Sequence, residues 1–247
     1  MNGSFGGLEV VGFVGWWHLL LFGALVPMAA WRNRDRLATI SLPPKKRYFA
    51  SIIAQQLLLT AISVAVARSL GIPLFEPYRP SLGALVATAL LLAVAVIGLR
   101  PSWRRQAAAG DRRVQLIAPM DALDHGLWAA ISVLAGVGEE LTYRGVMYWI
   151  VLQLTGSMAG AAAIAGLVFG VSHVGQGWKA VVVVTGFALA FQGLVNATGS
   201  LYPAMVVHVL YDLTAGISYG RYVRALARSN AFMNSTSATT LDRGQAL

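Results

Sequence analysis

The sequence predicts an all-α integral membrane bundle of about seven transmembrane helices, and three observations carry that expectation. Of 247 residues, 57% are hydrophobic and only 12% are charged, against about a quarter charged in soluble domains. The stretches Val10–Trp31, Tyr48–Ala67 and Pro80–Leu99 contain no Asp, Glu, Lys or Arg, and each reaches the roughly 20 residues that cross a bilayer. The basic residues gather in alternate connections: six in 32–47, five in 100–113 and four from Arg221 onward.

The uncharged runs place the first three helices at about 10–31, 48–70 and 80–99. Polar character from Arg100 to Asp124 ends the third. Apolar character then resumes, and Gly145–Trp178 and Ala180–Tyr211 contain no charged residue, with His173 and His208 as their only histidines. Each is long enough for more than one crossing. Turn signals at "LTGSMAG" (Leu154–Gly160), "GQGWK" (Gly175–Lys179) and "NATGSLYP" (Asn196–Pro203) divide them, giving helices at about 124–153, 158–174, 178–197 and 201–220. The chain therefore parses into an N-terminal three-helix region (1–120), a core (121–220) and a tail (221–247) whose "SNAFMNSTSATTLDRGQAL" composition reads as disordered.

The net charge of +9 could signal nucleic acid, but the placement of the charges reads as a topology signal. Under the positive-inside rule the basic connections face the cytoplasm, which puts the N-terminus and the 71–79 loop outside and the C-terminus inside. The expected location is a bacterial cytoplasmic membrane, with the basic loops touching anionic lipid and no nucleic-acid partner. No basic residue precedes the first apolar span, so it reads as a retained helix rather than a cleaved signal. The absence of cysteine excludes disulfides, thiolate metal sites and a cysteine nucleophile.

Of the ten acidic residues, only Glu139, Glu140 and Asp212 fall in the interior of the expected helices, Asp124 standing at the start of one. An ionisable group within the bilayer costs a few kcal/mol or more and marks a functional site by default. Glu140 and Arg144, four apart with the glutamate first, suit a structural ion pair. Glu139 points about 100° away around the helix and has no cation of its own at i+3 or i+4. Among the four histidines, His18 reads as a packing or interfacial residue and His125 as a solvated one. His173 and His208 remain in uncharged surroundings, and His208 has Asp212 four residues later on the same face. Two histidines, a spare carboxylate and an aspartate from three helices form a candidate site.

These residues carry a resemblance. "EELTYR" (Glu139–Arg144), "FGVSH" (Phe169–His173) and "HVLYD" (His208–Asp212) resemble the EExxxR, FxxxH and HxxxN/D motifs of the CAAX protease and bacteriocin-processing family, also called the Abi or type II CAAX prenyl endopeptidase family. The resemblance covers about 121–220. It implies an intramembrane peptidase in which Glu139 is the general base, His173 its partner on the water, and His208 with Asp212 the oxyanion side. Glu140, Arg144 and Phe169 take supporting roles, and the implied substrate is a membrane-embedded or lipid-anchored peptide.

The chemistry is consistent on its own terms. Peptide hydrolysis needs a base within reach of water and a donor where charge develops on the carbonyl oxygen. No GxSxG elbow in strand-turn-helix context and no HExxH zinc helix occur. Family members are often labelled metalloproteases, and Glu139, His173, His208 and Asp212 are also N/O metal ligands by type; a metal-free site with no cofactor is the favoured expectation. Asp212 donates a hydrogen bond only when protonated, unlike an asparagine there. Depth is a further difficulty: Glu139 lies about 22 Å along a helix starting at Asp124, whereas His173 ends its own helix. A tilt, a break at Gly136 or Gly138, or a later start are the available resolutions. Competing functions are a non-catalytic scaffold or bacteriocin-immunity protein, and an ion-coupled transporter.

Overall fold

The computed structural model describes residues 6–36 and 43–244, with side chains from Val11 to Ser229. Among them there is no strand. The chain begins with α1 (Gly6–Leu20), which passes through a π turn (Leu21–Leu25) into α2 (Val26–Asn33). Then come α3 (Lys45–Ser69), α4 (Leu82–Ala108), the short α5 (Arg112–Ile117) and α6 (Ala122–Glu139). A π segment (Glu140–Met147) joins α6 to α7 (Tyr148–Thr155) as one rod. It is followed by α8 (Met158–Ser172), a 3-10 turn (Val174–Gln176), α9 (Trp178–Thr198) and α10 (Tyr202–Gly244).

All seven expected helical stretches are helical. Four helices, Val11–Asn33, Lys45–Ser69, Leu82–Ala108 and Trp178–Thr198, are long and apolar enough to cross a membrane, and Met158–Ser172 is apolar but shorter. The exposed large apolar residues of α4, among them Leu85, Leu90, Val94 and Ile97, present the surface expected against lipid rather than water.

Local chemistry sets the boundaries. Ser81, Asp111, Asp121 and Ser157 each accept a backbone N–H at a helix start, supplying one of the four donors a helix leaves unpaired. At Asp121 the donation from Asp124, reinforced by Lys46 at 3.6 Å, holds the carboxyl below its ordinary range. Gly156 and Gly199 end α7 and α9 in the left-handed conformation.

Three details differ from the sequence reading. The basic segment after Arg100 is largely helix, because α4 runs on through Pro101 to Ala108. The tail expected to be disordered continues as helix to Gly244; no proline follows Pro203 to stop it. Residues 245–247 of that tail lie outside the described ones. Third, α6 does not break at Gly136 or Gly138.

Those two glycines do the opposite of breaking the helix. A Cβ at Gly136 would sit 2.8 Å from the backbone nitrogen of Val209, and one at Gly138 would overlap the side chain of Thr60. They let α6 lie directly against α3 on one side and α10 on the other. The depth mismatch is resolved instead by α8. With 15 residues it extends about 22 Å, so His173 at its C-terminal cap stops inside the bundle. The α1–α2 rod closes over α7 and α8, and α10 also lies along α4.

The basic connections gather at one end. Lys45 donates to the Ala118 carbonyl at 2.7 Å and lies 3.8 Å from the buried Asp124, Arg224 donates to Pro119, and Arg100 to Tyr222. The opposite end is built from the 71–81 loop and the 199–201 turn, where Tyr78 stacks near Tyr202.

Candidate active site

The π segment follows directly on Glu139. A single widened turn is a common marker of functional sites. Here all eight of its residues are buried. Both adjacent carboxylates reach the same imidazole: Glu140 Oε1 is 2.8 Å from His208 Nδ1, and Glu139 Oε2 is 3.8 Å from His208 Nε2. Asp212 approaches Nε2 from the following turn at 3.7 Å. His208 is thus held between three carboxylates.

Glu140 is fully buried and also lies 3.3 Å from Arg144 Nη1. The expected ion pair with Arg144 is present, but Glu140 does more than neutralise an arginine. A carboxylate only accepts hydrogen bonds when ionised, so Glu140 requires the proton on His208 Nδ1 and fixes how that ring stands. The guanidinium is sandwiched over Phe169, 4.3 Å from the ring centroid, and Phe191, at 5.5 Å, a favourable placement for a desolvated cation. Phe169 therefore connects the motifs physically: its ring faces Arg144, stacks edge-on against His173 at 4.5 Å and lies 6.3 Å from His208.

Glu139 has a different environment. Its Oε1 accepts from Gln56 Nε2 at 2.8 Å, and it lines a cavity of about 110 Å3 together with His173, Gln56, Thr142, Tyr143 and Ser172. His173 Nδ1 is 2.8 Å from the Phe169 carbonyl; because a carbonyl only accepts, Nδ1 carries a proton, and in the neutral tautomer Nε2 is the acceptor nitrogen. The cavity thus brings a carboxylate and a basic ring nitrogen together, with room for several waters at about 10–15 Å3 each.

All four candidate residues are gathered here: Glu139 bridges the pair His208–Asp212 and the cavity that His173 lines. The sequence reading missed Gln56, which lies in α3, outside every motif. Its available signal was the "QQ" pair (Gln55–Gln56) in an otherwise apolar run. His18 is buried, 3.4 Å from Ser63 Oγ and stacked on Phe22, and His125 is an exposed residue bonded to the Asp121 carbonyl. Among the described residues, no group of three or more His, Asp or Glu is arranged to hold a metal ion: His208 Nδ1 is taken by Glu140, and the oxygens facing Nε2 stand 3.7 and 3.8 Å away.

One buried and one half-buried carboxylate, adjacent in sequence, thus meet one imidazole, and a second imidazole lines the same cavity inside an apolar helical bundle. Residues 122–214 match the family described as type II CAAX prenyl endopeptidase Rce1-like, a family of proteases. The match runs from the start of α6 to just beyond Asp212 and takes in all three motifs, consistent with the resemblance they carry. No curated protein and no solved structure matches the chain.

Proposed function

We propose that the chain is an intramembrane endopeptidase that hydrolyses a peptide bond of a membrane-embedded or lipid-anchored substrate with water activated by Glu139 and His173. The observation that carries this reading is the shared cavity of Glu139 and His173, one carboxylate oxygen away from His208. In the proposed reaction Glu139 takes one proton from water, while His173 Nε2 accepts a hydrogen bond from the O–H that remains and orients the oxygen. The resulting hydroxide adds to the carbonyl carbon. His208, protonated at both nitrogens, donates from Nε2 to the oxyanion, with the ionised Glu140 at Nδ1 balancing its charge. Glu139 then hands its proton to the leaving nitrogen as the C–N bond breaks. Gln56 holds the other oxygen of Glu139 throughout.

The gathering of the basic connections at one end supports a cytoplasmic C-terminus and an outer N-terminus, with anionic lipid at the basic end; reporter fusions after Phe75 and Arg228 test that orientation.

The functional test compares peptides released in membranes carrying the wild-type chain with those carrying Glu139→Gln. The reading expects a cleaved peptide present only with wild type, at equal membrane yield of both proteins. Identical peptide profiles, with any cellular effect retained by Glu139→Gln, would return the chain to a scaffold or immunity role.

A further inference from the structure

A second cavity, of about 210 Å3, lies at the end of the bundle opposite the basic connections, between the 71–81 loop and the 199–201 turn. Its wall contains Arg144, Tyr148 and Tyr78. Arg144 is 4% exposed. Although its Nη1 approaches Glu140 at 3.3 Å, neither Nη1 nor Nη2 makes a hydrogen bond within the protein. The hydroxyls of Tyr78 and Tyr148 are likewise buried without a protein partner. Buried polar groups are nearly always paired, and an unsatisfied one costs about 1–3 kcal/mol, more when charged. The three residues that carry these unpaired donors all line one space far larger than a single water site of about 10–15 Å3.

The donors are of one kind. A guanidinium presents a planar fork that matches an oxyanion, and two phenols add directional O–H donors. Glu140 meets the guanidinium at Nη1, and Nη2 has no acceptor within the protein. The only carboxylate on the cavity wall is Glu76, which is exposed at the rim, where its charge is screened by solvent and salt. We propose that this cavity binds a phosphate group, Arg144 supplying the charge and Tyr78 and Tyr148 the additional donors. The position at the end of the bundle suits either the phosphate of a lipid headgroup or free phosphate. The site does not depend on the peptidase reading, because binding is measured without any peptide.

The test uses the full chain purified in dodecyl maltoside and stripped of lipid. Radiolabelled inorganic phosphate is titrated in one arm, and dihexanoyl phosphatidylglycerol competes in the other. Wild type should bind one phosphate per chain saturably. Tyr78→Phe/Tyr148→Phe should weaken binding at least tenfold, as should Arg144→Lys, which keeps a cation but loses the fork. Tyr222→Phe, at the other end of the bundle, should bind as wild type does. The tyrosine pair alone suffices if Arg144→Lys does not fold. Displacement by the short-chain lipid but not by glycerol assigns a headgroup; phosphate binding without such displacement assigns the free ion. Failure of wild type to bind either probe saturably, or equal affinity in the tyrosine double variant, overturns the proposal.

Discussion

Replacing Glu140 by glutamine should destabilise the protein by an amount the geometry allows to be worked out. Glu140 is fully buried and is the carboxylate beside an Arg144 whose side chain is 3% exposed. Glutamine is nearly isosteric, and its carbonyl oxygen can still accept from His208 Nδ1, so the main loss is the charge opposite Arg144. Breaking a buried pair by removing one partner costs about 3–5 kcal/mol. With about 2.1 cal/mol/K of unfolding entropy per residue over 247 residues, roughly 0.5 kcal/mol/K in all, the melting temperature should fall by about 6–10 °C. Differential scanning fluorimetry in detergent reads the shift. The double variant Glu140→Gln/Arg144→Met, which removes the stranded cation, should recover most of it, since apolar replacement of a buried pair is often neutral. A single-variant shift under about 2 °C, or no recovery in the double variant, would refute the view that Glu140 and Arg144 neutralise each other inside the bundle.

Gln56→Ala removes the donor at 2.8 Å from Glu139; a hydrogen bond to a charged group contributes about 1.5–3 kcal/mol, so cleavage should drop at least tenfold while membrane yield holds, measured as the rate of release of an identified substrate peptide. If protein groups alone activate the water, activity in detergent should survive prolonged treatment with EDTA or phenanthroline, and Asp212→Asn should remain active; inactivation by chelator with recovery on adding back a particular metal would establish metal catalysis instead.

The parts of the site that could be read from sequence were those that charge alone reveals. Glu139, Glu140 and Asp212 stand out because a carboxylate inside an apolar helix has few bland explanations, and His173 and His208 because the runs around them hold nothing else that ionises. What was not legible depends on register and on neighbours distant along the chain. Gln56 carries no charge, and its role arises only because α3 is brought against α6 by Gly138, where the absence of a Cβ leaves room for Thr60. The meeting of both carboxylates with one ring could not be read from an ideal 100° step per residue, because the backbone widens at Glu140. The depth of His173 stayed open for a simpler reason: a helix of 15 residues looks, in sequence, much like one that crosses completely.

The π segment also bears on how the motif should be counted. Each i→i+5 bond encloses one residue more than an i→i+4 bond, so the stretch 140–147 acts as a built-in insertion. Excising one residue and returning to an ordinary helix would leave α7 facing nearly as it does now, because the widened turn absorbs the extra residue that an α-helix would answer with a rotation of about 100°. A chain one residue shorter here would keep α7 in place and lose one of the buried side chains that the segment contributes between Glu139 and Tyr148. The spacing between the glutamates and the arginine is therefore a measure taken along a stretched ruler, on which each residue turns through less than it would on an ordinary helix.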